Sequence, residues 1–284
     1  MMKVLEVQNL TKHYPAFTLD NVCFSVNGSS ITGFIGRNGA GKTTTLKSLL
    51  NFVHPDSGTI SFFGKEFSSH EAEIKQEIGF VTGGISYYPN KKLSAITKVT
   101  KKFYTNWDEE SYKRNMARFN LDENKRPKEL SAGMKVKYQL ALALSHKAKL
   151  LILDEPTSGL DPVSRDELLE LLLRLRMDDG VSILFSTHIT SDLEKCADHI
   201  IYIKGGRILD SRPIQEFRDS YKIVRAPMDQ WNEAYKEKFI GYKYRPDSFE
   251  GLIRTDEACS YPEEWICSAD LESIMVFTEK EDIG

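Results

Sequence analysis

Apolar and polar residues alternate along the first part of the chain, which is the pattern of strands that bury one face. The stretches "KVLEVQNL" and "FTLDNVCFSV" alternate in this way, and the apolar run "ITGFIG" follows them after a turn. A glycine-rich loop comes next, followed by a helical pattern from about residue 42 to 52. We therefore predict short strands that lead into a strand, a loop and a helix.

The pattern changes between about residues 86 and 130, where charged residues increase and turns such as "YPN" interrupt helical stretches. A further helix with an apolar period begins after Ser131 and runs to about His146. We interpret this part of the chain, about 86–145, as a helical subdomain inserted into an α/β unit.

Strands and helices alternate again after this insertion, as they do in an α/β unit. The runs "KLLILDE" and "VSILFST" are continuously apolar, which is typical of strands buried on both faces. The helix between them is predicted to start at Pro162, with Asp161 as its cap. "HIIYIKGGRIL" predicts a hairpin that turns at its two glycines.

A boundary is predicted near Pro213, which divides the chain into a main domain at 1–212 and a smaller one at 213–284. The smaller domain has the mixed strand and helix patterns of an α+β unit. Its aromatic residues, Trp231 and Trp265 among them, either form a regulatory or dimer contact or fill the unit's own core. We favour the core, since aromatic residues dominate small cores.

Composition and charge restrict the class of protein. The 284 residues are 40% hydrophobic and 28% charged, as in soluble globular proteins, and the net charge of -3 gives no basic field for binding nucleic acid. The four cysteines form no C-x-x-C pair, so we expect them to be reduced. The sequence contains no signal peptide and no apolar run long enough to span a bilayer. A membrane function would therefore require another chain.

The strongest chemical signal is the glycine-rich loop, which matches G-x-x-x-x-G-K-[ST]. Its glycines let backbone N–H groups approach phosphates, and the following helix adds the positive end of its dipole. The lysine of the motif binds phosphate, and the hydroxyl group binds Mg²⁺. We predict nucleotide binding by the residues Gly36, Arg37, Asn38, Gly39, Ala40, Gly41, Lys42, Thr43 and Thr44.

Two other strand ends carry candidate catalytic groups. The run "LLILDEP" ends in Asp154 and Glu155, which the alternation of a strand directs to different sides. One carboxylate can then bind within the coordination shell of magnesium while the other faces an attacking water. "FSTH" ends a further apolar strand at His188. Alone, these residues would more often be a solvated acidic turn and a structural histidine, and the nearby phosphate loop favours the catalytic reading.

The stretch "LSAGMK", residues 130–135, reads either as a helix cap or as half of a catalytic site. Together with Tyr14, the phosphate loop, "LLILDEP", "SGLD" and His188, it occurs in the order and approximate spacing of the ATP-binding subunits of ABC transporters. Over about residues 2 to 212 the chain resembles that family, and most of all its exporter-type (ABC-2) branch, which handles drugs, peptides and lantibiotics.

The resemblance implies a P-loop NTPase (RecA-like) α/β core with an N-terminal antiparallel β subdomain, the inserted helical subdomain, and a small βαβ-like C-terminal extension. It implies that Tyr14 stacks on the adenine of ATP and that Asp154, with Thr43, binds Mg²⁺. Glu155 would be the general base for water, and His188 would contact the γ-phosphate. Ser131 and Gly133 would complete the site of a second subunit.

Two departures from the family pattern are present. The family has a glutamine that contacts Mg²⁺ and water, and this chain has Gly83 at that position. Glycine has no side chain, so we assign the role of the glutamine to no residue. Either a water or a neighbour such as Tyr87 or Tyr88 replaces the glutamine, or coupling runs differently in this chain. In the signature, Ala132 and Met134 stand where glycine and glutamine are commonest, while the serine and glycine that contact phosphate are retained.

The function implied is the ATP-hydrolysing subunit of an ABC transporter, with ATP and Mg²⁺ as ligands. Its partners would be a second ATP-binding subunit, identical or different, and a separately encoded transmembrane permease. It would be cytoplasmic and peripheral at the inner face of the cell membrane. The alternatives are a soluble ABC ATPase of translation or DNA repair, and a regulatory module that binds ATP but barely hydrolyses it. No nucleic-acid partner is predicted.

Overall fold

The computed structural model describes residues 2–82 and 88–280. The chain divides into two compact units, one formed by Met1–His188 with Lys195–Ser211 and the other by Ile189–Glu194 with Arg212–Gly284. No helix in the part described is long and apolar enough to cross a membrane.

The strands are, in chain order, β1 (Lys3–Tyr14), β2 (Phe17–Asn27), β3 (Ile31–Ile35), β4 (Ser57–Phe62), β5 (Lys65–Glu66), β6 (Ile78–Thr82), β7 (Leu150–Asp154), β8 (Ser182–Thr187), β9 (His199–Lys204), β10 (Arg207–Pro213), β11 (Tyr221–Pro227), β12 (Gly241–Tyr244), β13 (Ser248–Arg254) and β14 (Ile266–Ser268). The α-helices are α1 (Lys42–Leu49), α2 (Phe67–Gln76), α3 (Leu93–Thr100), α4 (Glu109–Arg118), α5 (Ala132–Ser145), α6 (Pro162–Asp178), α7 (Thr190–Cys196), α8 (Ile214–Asp219), α9 (Tyr235–Lys238) and α10 (Leu271–Lys280).

The first sheet of the larger unit is antiparallel and has the strand order β2-β1-β4-β5. Leu5, Val7 and Leu10 of β1 are at most 2% exposed, while polar neighbours along the strand face solvent. The alternation in the sequence is thus the alternation of one buried and one open face. The predicted antiparallel β subdomain is confirmed.

The second sheet has six strands in the order β10-β9-β3-β8-β7-β6. The pairings of β3 with β8 and β9, and of β7 with β6 and β8, are parallel, and β3, β7 and β8 are buried at every position. Parallel register brings Asp154 level with Ser186, and Ile35 level with Thr187. The carboxyl ends of β3, β7 and β8 therefore meet at one edge of the sheet, which is where α/β proteins place their ligands.

The helical insertion is present as α3, α4 and α5, and a buried hydroxyl cluster ties the three helices together. The hydroxyl of Thr97 lies 2.9 Å from that of Tyr112 and 2.9 Å from that of Tyr138. The Tyr138 hydroxyl also donates to the carbonyl of Leu93 at 3.1 Å. Burial raises the pKa of Tyr138 to about 12, so these groups remain neutral hydrogen-bonding partners.

The smaller unit carries a four-stranded sheet in the order β12-β13-β11-β14, with α10 beside it. All three pairings are antiparallel, so this is an α+β extension and the βαβ-like arrangement was wrong. Trp231 and Trp265 are partly buried and pack against a buried cluster that contains Phe249, and the ring centroids of Trp231 and Phe249 lie 5.0 Å apart. The aromatic residues of this unit fill its own core, as favoured from the sequence.

Candidate nucleotide site

The phosphate loop joins β3 to α1, and glycine is required where the loop passes close to β2. At Gly41, which caps α1 with a φ of 111°, a Cβ would lie 2.8 Å from the rings and methyls of Phe17 and Leu19. The Lys42 ammonium group donates to the carbonyls of Gly36 at 2.7 Å and Arg37 at 3.2 Å, which holds the loop closed around its own side chain. The first residues of α1 line a cavity of about 310 Å³, and the N–H groups of a helix's first turn have no partner within the helix and can bind an anion.

This cavity gathers residues that are far apart in sequence. The loop supplies one wall, and the ends of β7 and β8 supply the other. The lining residues are Phe17, Arg37, Asn38, Gly39, Gly41, Lys42, Thr43, Thr44, Glu155, Ser158 and His188. Gly36 and Ala40 are absent from this lining because they form the buried side of the loop, where the Ala40 carbonyl accepts from the N–H of Gly206 at 3.0 Å.

Asp154 is held on the buried side of the cavity by two hydroxyl groups. Its Oδ1 accepts from Thr43 Oγ1 at 3.1 Å and from Ser186 Oγ at 2.7 Å, and the residue is 9% exposed. Carboxylate and hydroxyl oxygens are the hard donors that suit Mg²⁺, which takes few protein ligands and completes its shell with water and substrate phosphates. Asp154 and Thr43 therefore fit a magnesium ion bound together with a nucleotide.

Glu155 follows Asp154 but enters the cavity from a different direction. Its φ of 50° turns the chain out of β7, and its N–H donates at 3.1 Å to both the carbonyl and the hydroxyl of Ser186. One carboxylate oxygen lies 3.4 Å from Lys42 Nζ, and the other lies 2.8 Å from His188 Nδ1. The structure therefore connects the phosphate-loop lysine, a carboxylate and an imidazole in one chain of polar contacts.

The predicted aromatic residue lies outside this cavity. Tyr14 ends β1, is 39% exposed and has the Lys12 ammonium group 5.9 Å from its ring. Its partner across the β1–β2 hairpin is Phe17, whose side chain does line the cavity. Phe17 was missed because the sequence gives only an aromatic residue next to a turn, and the register that turns its ring inward is a property of the folded hairpin.

Ser131 and Gly133 also lie away from the cavity. Ser131 caps α5, its hydroxyl accepting from the N–H of Met134 at 3.2 Å, and it is exposed. A Cβ at Gly133 would meet Leu160 and Ser164 at 3.7 Å, so this glycine packs on the region that follows β7. A single chain thus brings the phosphate loop together with Asp154, Glu155 and His188, while its signature residues and Tyr14 lie apart from them.

The position that departs from the family pattern, Gly83, lies outside the described residues, as does Tyr87. Tyr88 is described and is 68% exposed. At the end of β6, the side-chain amide of Gln139 accepts from the N–H of Thr82 and donates to its carbonyl, both at 3.1 Å. A glutamine from α5 thus fixes the backbone next to the departing position.

Comparison with known proteins decides the family. The family model described as ABC transporter matches residues 19–158. The bacitracin transport ATP-binding protein BcrA of Bacillus licheniformis is 33% identical over 263 residues, which covers 89% of this chain and 85% of BcrA. The chain belongs to the ABC-transporter ATP-binding proteins. As in that family, it is an ATPase that converts ATP and water to ADP and phosphate.

Other relatives agree with this assignment. The lantibiotic transport ATP-binding protein SrtF of Streptococcus pyogenes is 36% identical over 209 residues, covering 72% of this chain and 89% of SrtF. A solved ATP-binding subunit of an ABC transporter superposes with a TM-score of 0.68 at 28% identity, over 76% of this chain and 92% of that one. The P-loop NTPase fold and the exporter-type branch expected from the sequence are both confirmed.

Proposed function

We propose that the chain is the ATP-hydrolysing subunit of an ABC exporter and that it works as a head-to-tail dimer around two ATP molecules with Mg²⁺. One observation carries the dimer: the cavity gathers the phosphate loop, Glu155 and His188 of one chain, while Ser131 caps α5 elsewhere in the same unit. An exposed hydroxyl at a helix N-terminus is an anion-binding element. A second chain in the opposite orientation would bring its Ser131 to the phosphates held by Lys42.

The contacts in the cavity support a role for each residue in hydrolysis. Lys42 would move from Glu155 to the β- and γ-phosphates, and Thr43 with Asp154 would hold Mg²⁺, which neutralises developing phosphate charge when bound. Glu155, then held by His188 alone, would orient the attacking water and accept its proton. Phe17 would contact the adenine face, in place of Tyr14.

The exported substrate is proposed from the relatives. BcrA is described as a bacitracin transport protein and SrtF as a lantibiotic transport protein, and both names refer to peptide antibiotics. We assign peptide antibiotics or similar drugs as the cargo, carried by a separately encoded transmembrane permease. The ATPase would then lie on the cytoplasmic face of the membrane, bound to that permease.

Glu155→Gln tests the catalytic and dimeric parts of this proposal. The amide keeps the size of the side chain but cannot accept a proton, so ATP still binds, turnover falls by roughly a thousandfold, and an ATP-bound dimer accumulates. Turnover is measured by phosphate release and the dimer by size-exclusion chromatography with ATP. Lys42→Ala, which removes phosphate binding, serves as the matched control and should give no dimer.

Near-normal turnover of Glu155→Gln would contradict the role of Glu155, and a monomer with bound ATP would contradict the dimer. The permease is tested separately by affinity purification of the tagged chain from membranes of its native host. An ABC ATPase with a regulatory function away from the membrane would instead be recovered without a multispanning membrane protein.

A further inference from the structure

A second cavity, of about 550 Å³, lies in the larger unit and exceeds the nucleotide cavity of about 310 Å³. We call it the basic cleft. One wall is the face of α4 that carries Ser111, Arg114, Asn115 and Arg118, spaced three and four residues apart as one helix face requires. The other lining residues are Leu144, Lys147, Ala148, Lys149, Asp179, Gly180 and Val181.

Four cations and one carboxylate line the cleft. Three of the cations either lie too far from a carboxylate for a hydrogen bond or have no carboxylate partner among the described residues. Arg114 is 4.0 Å from Glu110, and both side chains are more than two thirds exposed. Lys147 is 3.9 Å from Asp108. Such distances exceed a hydrogen bond, and exposed pairs of this kind contribute little.

Arg118 is the cation of the cleft that has no carboxylate partner in the described part of the chain. Within residues 2–82 and 88–280 it forms no ion pair, and its guanidinium carbon lies 6.0 Å from the ring of Phe119. Lys149 differs, since it is paired with Glu77 at 2.9 Å. The cleft therefore presents two guanidinium groups and one ammonium group whose donors are available to a ligand.

The floor of the cleft is apolar and well packed. Ala148 and Val181 are at most 6% exposed, Leu144 also lines the cleft, and Asn115 is 8% exposed. A concave, partly apolar floor with a few charged groups at its rim is the usual form of a small-molecule site. Guanidinium groups bind the oxygens of phosphate in pairs, so several cations at one rim favour a multiply charged phosphate over a single carboxylate.

The cleft lies at the opposite edge of the parallel sheet from the nucleotide site. Lys149 and Val181 immediately precede β7 and β8, whereas Asp154 and Ser186 lie at or near the carboxyl ends of these strands. Its walls come from the helical insertion on one side and from the loops of the sheet core on the other. A ligand held by both walls would restrict movement of the insertion relative to the core, and thereby change turnover without touching ATP.

We propose that the basic cleft is a regulatory site for a phosphate-bearing small molecule. The phosphate contacts Arg114, Arg118 and Lys147, and an apolar or ring portion lies on the floor formed by Leu144, Ala148 and Val181. This site is separate from ATP binding and hydrolysis, and its occupant modulates both through the helical insertion.

Inorganic pyrophosphate is the probe, and the full-length chain is first saturated with a fluorescent, non-hydrolysable ATP analogue. Isothermal titration should then show one saturable pyrophosphate site per chain while the analogue stays bound. Arg118→Ala and Lys147→Ala should each weaken this binding about tenfold, the value of one hydrogen bond to a charged group. Lys113→Ala is the matched control, since Lys113 is an exposed cation of α4 outside the cleft.

The proposal is overturned if no saturable pyrophosphate site remains beside the bound analogue, or if Lys113→Ala weakens binding as much as Arg118→Ala. A second arm uses vesicles that contain phosphatidic acid, because a lipid headgroup has the same chemistry. Binding to these vesicles without binding of pyrophosphate would overturn the assignment to a small molecule. Basal ATP turnover of all three variants should equal that of the parent chain, and pyrophosphate should alter turnover only where the cleft is intact.

Discussion

Ser186 links the carboxylate of Asp154 to the backbone N–H of Glu155, and removing its hydroxyl should reduce turnover with little effect on ATP affinity. The hydroxyl donates to Asp154 at 2.7 Å and accepts from the N–H of Glu155 at 3.1 Å, and Ser186 is fully buried. In Ser186→Ala, Asp154 keeps only the Thr43 hydroxyl at 3.1 Å, while the Glu155 N–H keeps the Ser186 carbonyl. The variant therefore loses two hydrogen bonds, and because the Glu155 N–H stays paired, the main cost is the bond to the charged Asp154, about 1.5–3 kcal/mol.

If that free energy is expressed in the transition state, kcat falls by roughly ten- to a hundredfold. The dissociation constant for ATP should remain within about twofold, because Ser186 does not line the cavity. Phosphate release at saturating ATP gives kcat, and binding of a fluorescent ATP analogue gives the affinity. Ser186→Thr retains the hydroxyl and should recover most of the activity.

Ser182→Ala is the matched control for this experiment. Ser182 lies at the other end of β8, is 2% exposed, and its hydroxyl accepts from the N–H of Ser29 at 3.0 Å. Ser182→Ala should lower the free energy of unfolding by about 1–3 kcal/mol, close to the loss expected for Ser186→Ala, yet leave kcat unchanged. Equal losses of kcat in the two variants, or a kcat of Ser186→Ala within twofold of the parent, would refute a positioning role for Ser186.

Three further predictions concern stability and base recognition. Burial lowers the pKa of His146 from 6.5 to about 4, so that as the pH falls the unfolded chain takes up a proton before the folded chain does. The free energy of unfolding should therefore fall as the pH drops from 6.5 towards 4, by about 2 kcal/mol between pH 7.5 and 5. Urea unfolding of His146→Phe should show a pH dependence that is smaller by this amount. A Cβ at Gly206 would overlap a backbone carbonyl of β2, whereas a Cβ at Gly205 in the same turn would meet open space. Gly206→Ala should therefore lower the free energy of unfolding by roughly 1–3 kcal/mol more than Gly205→Ala does, and equal losses would contradict the overlap. Phe17→Ala should raise the dissociation constant of ATP by roughly three- to tenfold while Tyr14→Ala leaves it unchanged, and the reverse result would return the adenine contact to Tyr14.

The fold was predictable because its signals are local and periodic. Alternation marked β1 and β2, continuous apolar runs marked β7 and β8, and Asp161 capped α6 with hydrogen bonds to the N–H groups of Val163 and Ser164 at 3.1 and 3.0 Å. Each of these features depends on residues within one element. The phosphate loop was predictable for the same reason, since its chemistry is contained in nine consecutive residues.

The remaining features depend on contacts between distant segments. Ser186 lies 31 residues after Glu155 and meets it only because β7 and β8 pair in parallel register. Phe17 depends on the register of a hairpin, and the basic cleft depends on a helix face meeting two loops. The left-handed φ of 50° at Glu155 is a further case, because it arises where the strand end is held by a neighbouring strand. Spacing along the chain carries no signal for any of these.

The ion pair between Lys42 and Glu155 would make the position of the Glu155 carboxylate depend on bound nucleotide. Lys42 is 5% exposed and its ammonium group lies 3.4 Å from the carboxylate of Glu155. A buried lysine requires a counter-charge, and separation of such a pair without replacement is costly. In the proposed mechanism, phosphate oxygens of ATP would supply the replacement, and the carboxylate of Glu155 would be released when the nucleotide binds. His188, whose Nδ1 lies 2.8 Å from the other oxygen, would then hold the carboxylate in place. If Glu155 is the general base, as proposed, its carboxylate would stay paired with Lys42 until ATP is bound, and proton acceptance would depend on the presence of the phosphate that water attacks.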